Sequence, residues 1–348
     1  MQPAIRLIIL GARPRIELLG LTVEENAVGG TVIGDLTVLH GKGTYTFTIT
    51  DNPDSKFAID GDEFETAAAI DYETATSHQV TVQADNGVDA PISRTFTITV
   101  IDVVAEYSTE AQQFFDRITD PGTTRKNLYA TLIDGLVTDG IWTQIDVLKI
   151  YAADIQGNAL INLKSASFPS VISGAPTFTA DQGFLGDGID DHLASGFNPT
   201  SAGGNWVQDA ASFWMYALTN AQFTTTVVGN QTAPRLTMIP FNTSNQMEAR
   251  LNDNTADVRA NLNGNGFFGV QRTAAATKQL WENGVQNGAD FATASTGLPN
   301  AELWELGSNT GVHNAVEIAA VLYGGSMAGK ESALNGHIVT FLTAVGAI

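Results

Sequence analysis

The sequence predicts a mainly β protein: one β-sandwich, a short helical connector, and a second, larger β-sandwich closed by a C-terminal helix. Three observations lead there. Thr44-Tyr-Thr-Phe-Thr-Ile-Thr50 and Thr95-Phe-Thr-Ile-Thr-Val100 alternate with period two, which places Tyr45, Phe47 and Ile49, and likewise Phe96, Ile98 and Val100, on single faces. Over residues 105–165 the apolar spacing changes to three and four, the period of a helix. From residue 166 onward, short strand-like runs return, separated by Gly, Asn and Pro turns.

Residues 1–19 carry apolar residues interrupted by Arg6, Arg13 and Arg15, with Pro3 and Pro14 as breakers. They read as one or two short strands that attach the chain to a partner. Residues 20–104 alternate cleanly, as in sheets with one buried face stacked on each other. In 105–165, Thr109-Glu-Ala-Gln112 is a capping-box pattern, and Ala111, Phe114, Phe115 and Ile118 follow at helical spacing. Pro121-Gly122 breaks that helix, and a second one, capped at Thr124, carries Leu128, Leu132, Ile133 and Leu136. A third short helix fits Thr143–Ala153, with Ile145, Leu148 and Ala152 inward. In 166–348 the expected strands are Ser212–Ala217, Arg235–Ile239, Gln246–Leu251 and Gly266–Arg272, with a hairpin at Asn283-Gly284 and a strand at Leu303–Gly307. Residues 330–345 close the chain as an amphipathic helix. Gly183–Phe197 reads as strand, tight turn, strand around Asp187, Asp190 and Asp191.

The formal charge is −20, and all three segments of the chain are acidic. Nucleic acid and anionic membrane surfaces are therefore disfavoured partners, while neutral glycans, cations or another protein suit the balance. With no cysteine, disulfides, thiolate metal sites and a Cys nucleophile are excluded. No apolar run approaches the roughly 20 residues of a bilayer span, so membrane insertion is not expected. Leu7–Leu10 is too short for a signal-peptide core.

Val23-Glu24-Glu25-Asn26, Phe57-Ala-Ile-Asp-Gly61, Ile70-Asp71-Tyr72-Glu73, Val82-Gln83-Ala84-Asp85 and Ile98-Thr-Val-Ile-Asp102 follow one another in an order and spacing that resembles a cadherin-type repeat. That resemblance implies calcium held by Glu25, Asp71, Glu73 and Asp102, a sensible set because Ca²⁺ seeks six to eight hard oxygens. The chain departs from the family in its exit, Asp102-Val-Val-Ala-Glu106, and in Leu39-His-Gly-Lys-Gly43, so only part of the usual cage is present.

The strand run, the Asn-Gly turn and the terminal helix of residues 166–348 resemble a concanavalin A-like jelly roll of the laminin G type. The helical stretch before it is similar to one found in phage structural and adsorption proteins. These resemblances imply binding rather than catalysis. In a sugar site, aromatic rings stack on C–H faces and amides meet hydroxyls; Trp206, with Asn205 and Gln208 in a Gly-rich loop, is the candidate. Asp187, Asp190 and Asp191 are candidates for a second cation. Trp281 and Trp304, being in strands, read as core.

Catalytic constellations are not legible. Glu302 and Glu305 are three apart and on a strand would face opposite ways. The histidines are scattered, Gly324–Ala328 fails the nucleophile elbow, and Gly264–Gly269 matches a dinucleotide loop only formally, among strands. The expectation is a non-enzymatic, homo-oligomeric surface protein of a bacteriophage virion, a tail fibre, spike or adsorption protein. It would bind host surface polysaccharide through residues 166–348 and other virion proteins through residues 1–19. A capsid or tail decoration protein and a secreted bacterial adhesin are the alternatives.

Overall fold

The computed structural model describes residues 12–72, 74–103 and 107–348. The chain divides into two compact units, with the boundary between Glu106 and Tyr107. The fold is mainly β in both.

The described strands of the first unit are Arg15–Leu18 (β1), Thr22–Glu24 (β2), Val32–Leu39 (β3), Thr46–Asp51 (β4), Phe57–Asp60 (β5), Glu63–Thr66 (β6), Ser77–Asp85 (β7) and Ile92–Ile101 (β8). They form two four-stranded sheets, ordered β1-β3-β6-β5 and β2-β8-β7-β4. The period-two alternation is what makes this a sandwich. Val80, Val82 and Ala84 of β7 and Phe96, Ile98 and Val100 of β8 are buried together with Leu36 and Phe64 of the facing sheet. The intervening threonines face water.

The predicted attachment segment is corrected in its described part. β1 pairs antiparallel with β3, from Arg15 opposite Leu39 to Leu18 opposite Leu36, and Ile16 is 1% exposed. This strand therefore belongs to the sandwich's own core. Its close fit depends on Gly34, where a Cβ atom would lie 1.5 Å from the Leu19 carbonyl oxygen. Residues 1–11 lie outside the described residues.

The second unit opens with helices Thr109–Phe115 (α1) and Thr123–Thr138 (α2), then strand Ile145–Ile150 (β9) and the single turn Gln156–Ala159 (α3). Short strands Val171–Ser173 (β10), Thr177–Thr179 (β11), Gly183–Leu185 (β12) and His192–Ala194 (β13) follow. The sandwich proper adds Ala211–Ala217 (β14), Val228–Asn230 (β15), Arg235–Ile239 (β16), Gln246–Asp253 (β17), Asp257–Ala260 (β18), Gly266–Ala274 (β19), Thr277–Glu282 (β20) and Val285–Gln286 (β21). Trp304–Glu305 (β22), Gly307–Ser308 (β23), Val312–His313 (β24), Glu317–Gly324 (β25) and helix Glu331–Ala344 (α4) complete it.

One large sheet runs β11-β12-β25-β14-β19-β20-β21, with β9 also on β25, and faces a sheet ordered β18-β17-β16-β15-β23-β24. Phe213, Met215, Phe268 and Val270 point into the space between the sheets, against Leu236, Met238 and Leu251. The opposite face of the large sheet, with Trp214, Phe267 and Leu322, is covered by α1, α2 and α4 through Phe114, Tyr129, Ile338 and Phe341. With both faces covered, these strands lose the alternation seen in the first unit. The Asn-Gly hairpin is present: Asn283 and Gly284 have φ of 50° and 76°, the left-handed pair that a two-residue turn between β20 and β21 requires.

Three local expectations are corrected. The third helix, over Thr143–Ala153, is instead strand β9, paired antiparallel with β25 from Ile145 opposite Gly324 to Ile150 opposite Ala320. A strand covered on both faces carries apolar residues on both, here Ile145, Val147, Leu148 and Ile150, and such a set fits helical spacing by accident. Residues 107–165 are accordingly part of the second unit, not a separate connector. Gly183–Phe197 is strand, turn and strand as read, with β12 in the large sheet and β13 paired with β10 and β22 in a third, three-stranded sheet. The cap of α1 is Ser108, one residue before the predicted box, whose hydroxyl accepts the Ala111 N–H.

Candidate functional site

The turn between β12 and β13 is built by its own aspartates. Asp187 Oδ1 accepts the N–H groups of Ile189 at 2.7 Å, Asp190 at 3.2 Å and Asp191 at 3.4 Å. These bonds, that of Ile189 foremost, hold its carboxyl below the usual carboxylate range. The Asp191 carboxylate is 3% exposed and accepts the N–H groups of Ala175 at 2.6 Å and Asp187 at 3.1 Å. Asp187 and Asp190 remain exposed, and one oxygen of each of the three carboxylates lies within 4.8 Å of the others. They border a depression of about 280 Å³ whose other walls include Ala175, Thr177 and Leu185. Among the described residues this is the place where three acidic groups converge. The donor set, hard oxygens with concentrated negative charge, fits a calcium ion.

Beside the turn lies a ring stack that includes Trp304, a residue expected in the core. The imidazole of His192 lies on the indole of Trp304 with centroids 3.6 Å apart and planes at 13°. His313 is 5.5 Å from His192, centroid to centroid, and its Nδ1 bonds the Asp191 carbonyl oxygen at 3.0 Å. Burial lowers the His192 pKa, the neighbouring His313 adding to that, so the ring favours its neutral form. Trp304 is half-buried. Its orientation follows from Leu303 and Glu305, both fully buried and thus on the opposite face of the strand. A charged residue facing inward is the signal that alternation alone cannot supply.

The predicted sugar platform is not one. Trp206 is 2% exposed within the inter-sheet core and donates its indole N–H to Asn252 Oδ1 at 3.2 Å. Its loop is fastened by Asp146, whose carboxylate accepts the N–H groups of Asn205 and Trp206, each at 2.8 Å, and the Asn205 side-chain amide at 3.0 Å. Gln208 donates to Ser295 Oγ at 3.0 Å. All three residues thus anchor the loop. We expect Trp206→Ala to lower the unfolding free energy by about 3–5 kcal/mol, as large-to-small core changes do, while leaving ligand affinity of the remaining folded protein unchanged. Denaturant titration beside a binding assay checks both halves.

Of the acids that the cadherin resemblance implies, Glu25 and Asp71 are similarly occupied. Glu25 is 6% exposed; its Oε1 accepts the Val103 N–H at 3.0 Å and its Oε2 that of Tyr72 at 3.4 Å. The Asp71 carboxylate accepts the N–H and hydroxyl of Thr74. Asp102 is exposed, and Glu73 lies outside the described residues. Glu25, Asp71 and Asp102 do not converge as the aspartates of the 187–191 turn do.

Two buried ionic networks escaped the sequence reading. Lys149 Nζ, on β9, donates to Ser170 Oγ at 2.7 Å and to the Ser195 carbonyl at 2.8 Å, and Tyr151 shares the same Ser170 hydroxyl at 2.8 Å. Tyr323 donates to Glu305 Oε1 at 2.5 Å. Burial pushes Lys149 down to about 8 and Glu305 up, both toward neutrality. On the opposite flank, Asp253 Oδ2 is bonded by Arg272 at 2.5 Å and Lys278 at 2.8 Å, and Lys278 also reaches Asp257 at 2.8 Å. These groups are buried against one another and read as structural.

No family model and no curated protein matches the chain. Among solved structures, human protocadherin-24 EC1-2 is 20% identical over 25% of this chain and 45% of its own, with a TM-score of 0.23. Mouse cadherin-23 EC22-24 is 17% identical over 26% and 32%, with a TM-score of 0.23. A crystal structure of an HCR/D mutant is 10% identical over 58% and 53%, with a TM-score of 0.41. The chain thus spans about half or less of each of these proteins. No helix among the described residues is long and apolar enough to cross a membrane.

Proposed function

We propose that this protein is a non-enzymatic adhesion protein of a bacteriophage-like particle, whose second unit recognises a host-surface glycan with the help of a calcium ion at Asp187, Asp190 and Asp191. The observation that carries the reading is the convergence of those carboxylates on a turn held rigid by its own backbone N–H groups, next to the half-exposed Trp304. A fixed turn places ligands before the ion arrives, which lowers the entropic cost of binding. The use of the other acids supports a binding role: Glu305 is locked to Tyr323, Glu302 accepts the Gly196 N–H, and Asp146 fastens the 204–206 loop. The virion setting rests on the helical stretch that resembles phage proteins, and oligomerisation would raise avidity for weakly bound sugars.

Asp190 makes the clean test, because it is exposed and its carboxylate supports no described backbone group. Calorimetric titration of the full chain with calcium chloride should show a site that Asp190→Asn weakens about tenfold or more, since calcium affinity follows ligand charge. Adhesion to host cells and to their purified polysaccharide should fall when calcium is chelated. A wild-type chain that takes up no calcium, or adheres equally in chelator, overturns the calcium part; one that binds no host polysaccharide overturns the glycan reading.

A further inference from the structure

The inward face of β20 carries Lys278, Leu280 and Glu282. At one end Lys278 is fully buried and matched by Asp253 and Asp257. Leu280 lies in the inter-sheet core. At the other end Glu282, opposite Phe268, is half-buried, and no hydrogen-bond donor or cation among the described residues reaches its carboxylate. Desolvation alone pushes its pKa above the usual range. A protein that neutralises one end of a strand face and leaves a partly dehydrated carboxylate at the other has left an interaction for something else to complete.

That carboxylate sits in a groove of about 540 Å³ on the flank where both large sheets end, β18 on one side and β21 on the other. Two aliphatic side chains rise beside it, Leu262 at 77% exposure and Val285 at 69%. Asn263 and Gln286 add amides to the walls. We propose that this groove binds a saccharide unit, a hydroxyl of which donates to Glu282 while the C–H face of the ring lies against Leu262 and Val285.

The edges themselves discriminate against the alternatives. An extended peptide would add to an open strand edge through main-chain bonds. Here the Ala260 carbonyl already accepts from the Asn287 amide at 3.1 Å, and the Asn287 and Ala289 carbonyls accept from Arg259, whose guanidinium also covers Phe291 at 3.6 Å. Those acceptors are closed to a passing backbone. A metal ion would find one carboxylate where it needs several hard oxygens. A neutral polyol needs an acceptor, planar amides and apolar contact, and its lack of charge suits a chain of −20.

This inference rests on the glycan reading and places a sugar-contacting surface away from the acidic turn. Its test uses the full chain against an immobilised panel of neutral hexose, deoxyhexose and N-acetylhexosamine oligosaccharides, read by surface plasmon resonance. Glu282→Gln and Leu262→Ser are solvent-reachable changes, and an unchanged melting curve verifies their folding. Loss of the hydrogen bond to a charged acceptor should weaken binding about tenfold or more in Glu282→Gln, with a smaller loss in Leu262→Ser. Binding equal to wild type in both variants, but reduced in Asp190→Asn, overturns the groove and leaves the glycan reading standing. A wild-type chain that binds none of the panel, yet still adheres to host polysaccharide, likewise overturns the groove alone; failure of both assays overturns both.

Discussion

Asp253→Ala is expected to destabilise the second unit by about 3–5 kcal/mol, the effect of removing one partner from a buried ion pair. Asp253 is the anion that Arg272 and Lys278 share, and all three side chains are at most 1% exposed. The substitution leaves the buried Arg272 without its carboxylate partner and Lys278 with Asp257 alone. Arg272 keeps its bonds to the carbonyls of Leu251, Ala275 and Thr293, so the loops it ties are loosened rather than released. All five tryptophans, at 142, 206, 214, 281 and 304, lie in the second unit. Urea unfolding followed by tryptophan fluorescence therefore reports on this unit by itself. A shift of under about 1 kcal/mol would show the network to be neutral and refute its role here.

The second large effect is on pH dependence. Lys149 has its pKa lowered to about 8, first by burial, so between pH 8 and the ordinary lysine value the unfolded chain binds more protons than the folded one. Stability then rises with pH across that window, by about 2–3 kcal/mol up to pH 10. Tyr151 and Tyr323 have pKa values raised well above 10 by burial, so beyond pH 10 the unfolded chain loses protons that the fold keeps, and stability declines. Glu305, shifted up, contributes the opposite slope to Lys149 above the usual carboxylate range, fading once its folded form ionises. The expected profile has a maximum near pH 10, and Lys149→Met should remove the rise from 8 to 10. A rise that persists in that variant would assign the effect to another group.

The legible parts were those where one physical rule acts alone. Thr44–Thr50 and Thr95–Val100 have one wet face, and their alternation maps onto β4 and β8. Asn283-Gly284 has few conformations open to it other than the turn it makes. The helix expected over residues 330–345 is α4, Glu331–Ala344, with Leu334, Ile338, Phe341 and Leu342 buried as their spacing implies. Where two rules compete, the reading failed. Ile145, Val147, Leu148 and Ile150 put apolar residues on both faces of β9 because both are covered, which erases the period that would distinguish strand from helix. The burial of Trp206 and Trp304 is the reverse of the expected order for a related reason: a Gly-rich loop points to exposure and a strand to burial, yet Asp146 pulls the first inward and the buried Glu305 leaves the second half-buried. The Asp187–Asp191 turn was legible as acidic, but which oxygens its own backbone would claim was not. Glu282 left no trace at all, since nothing in a sequence marks a carboxylate as lacking a partner.

The pairing of β9 with β25 has a further meaning for how the chain is made. Residues 145–150 and 317–324 are neighbours in one sheet, yet most of the second unit is synthesised between them. During translation β9 leaves the ribosome as an apolar segment with Lys149 at its centre, and its partner strand does not yet exist. The helices ahead of it face the same delay, since α2 packs on α4 at the far end of the chain. The unit cannot be completed from the front; it must wait for β25 and α4 and then close around them, which favours slow folding while β9 is exposed. A fragment begun at residue 166 would lack β9 altogether and leave that side of β25 open to another molecule's strand.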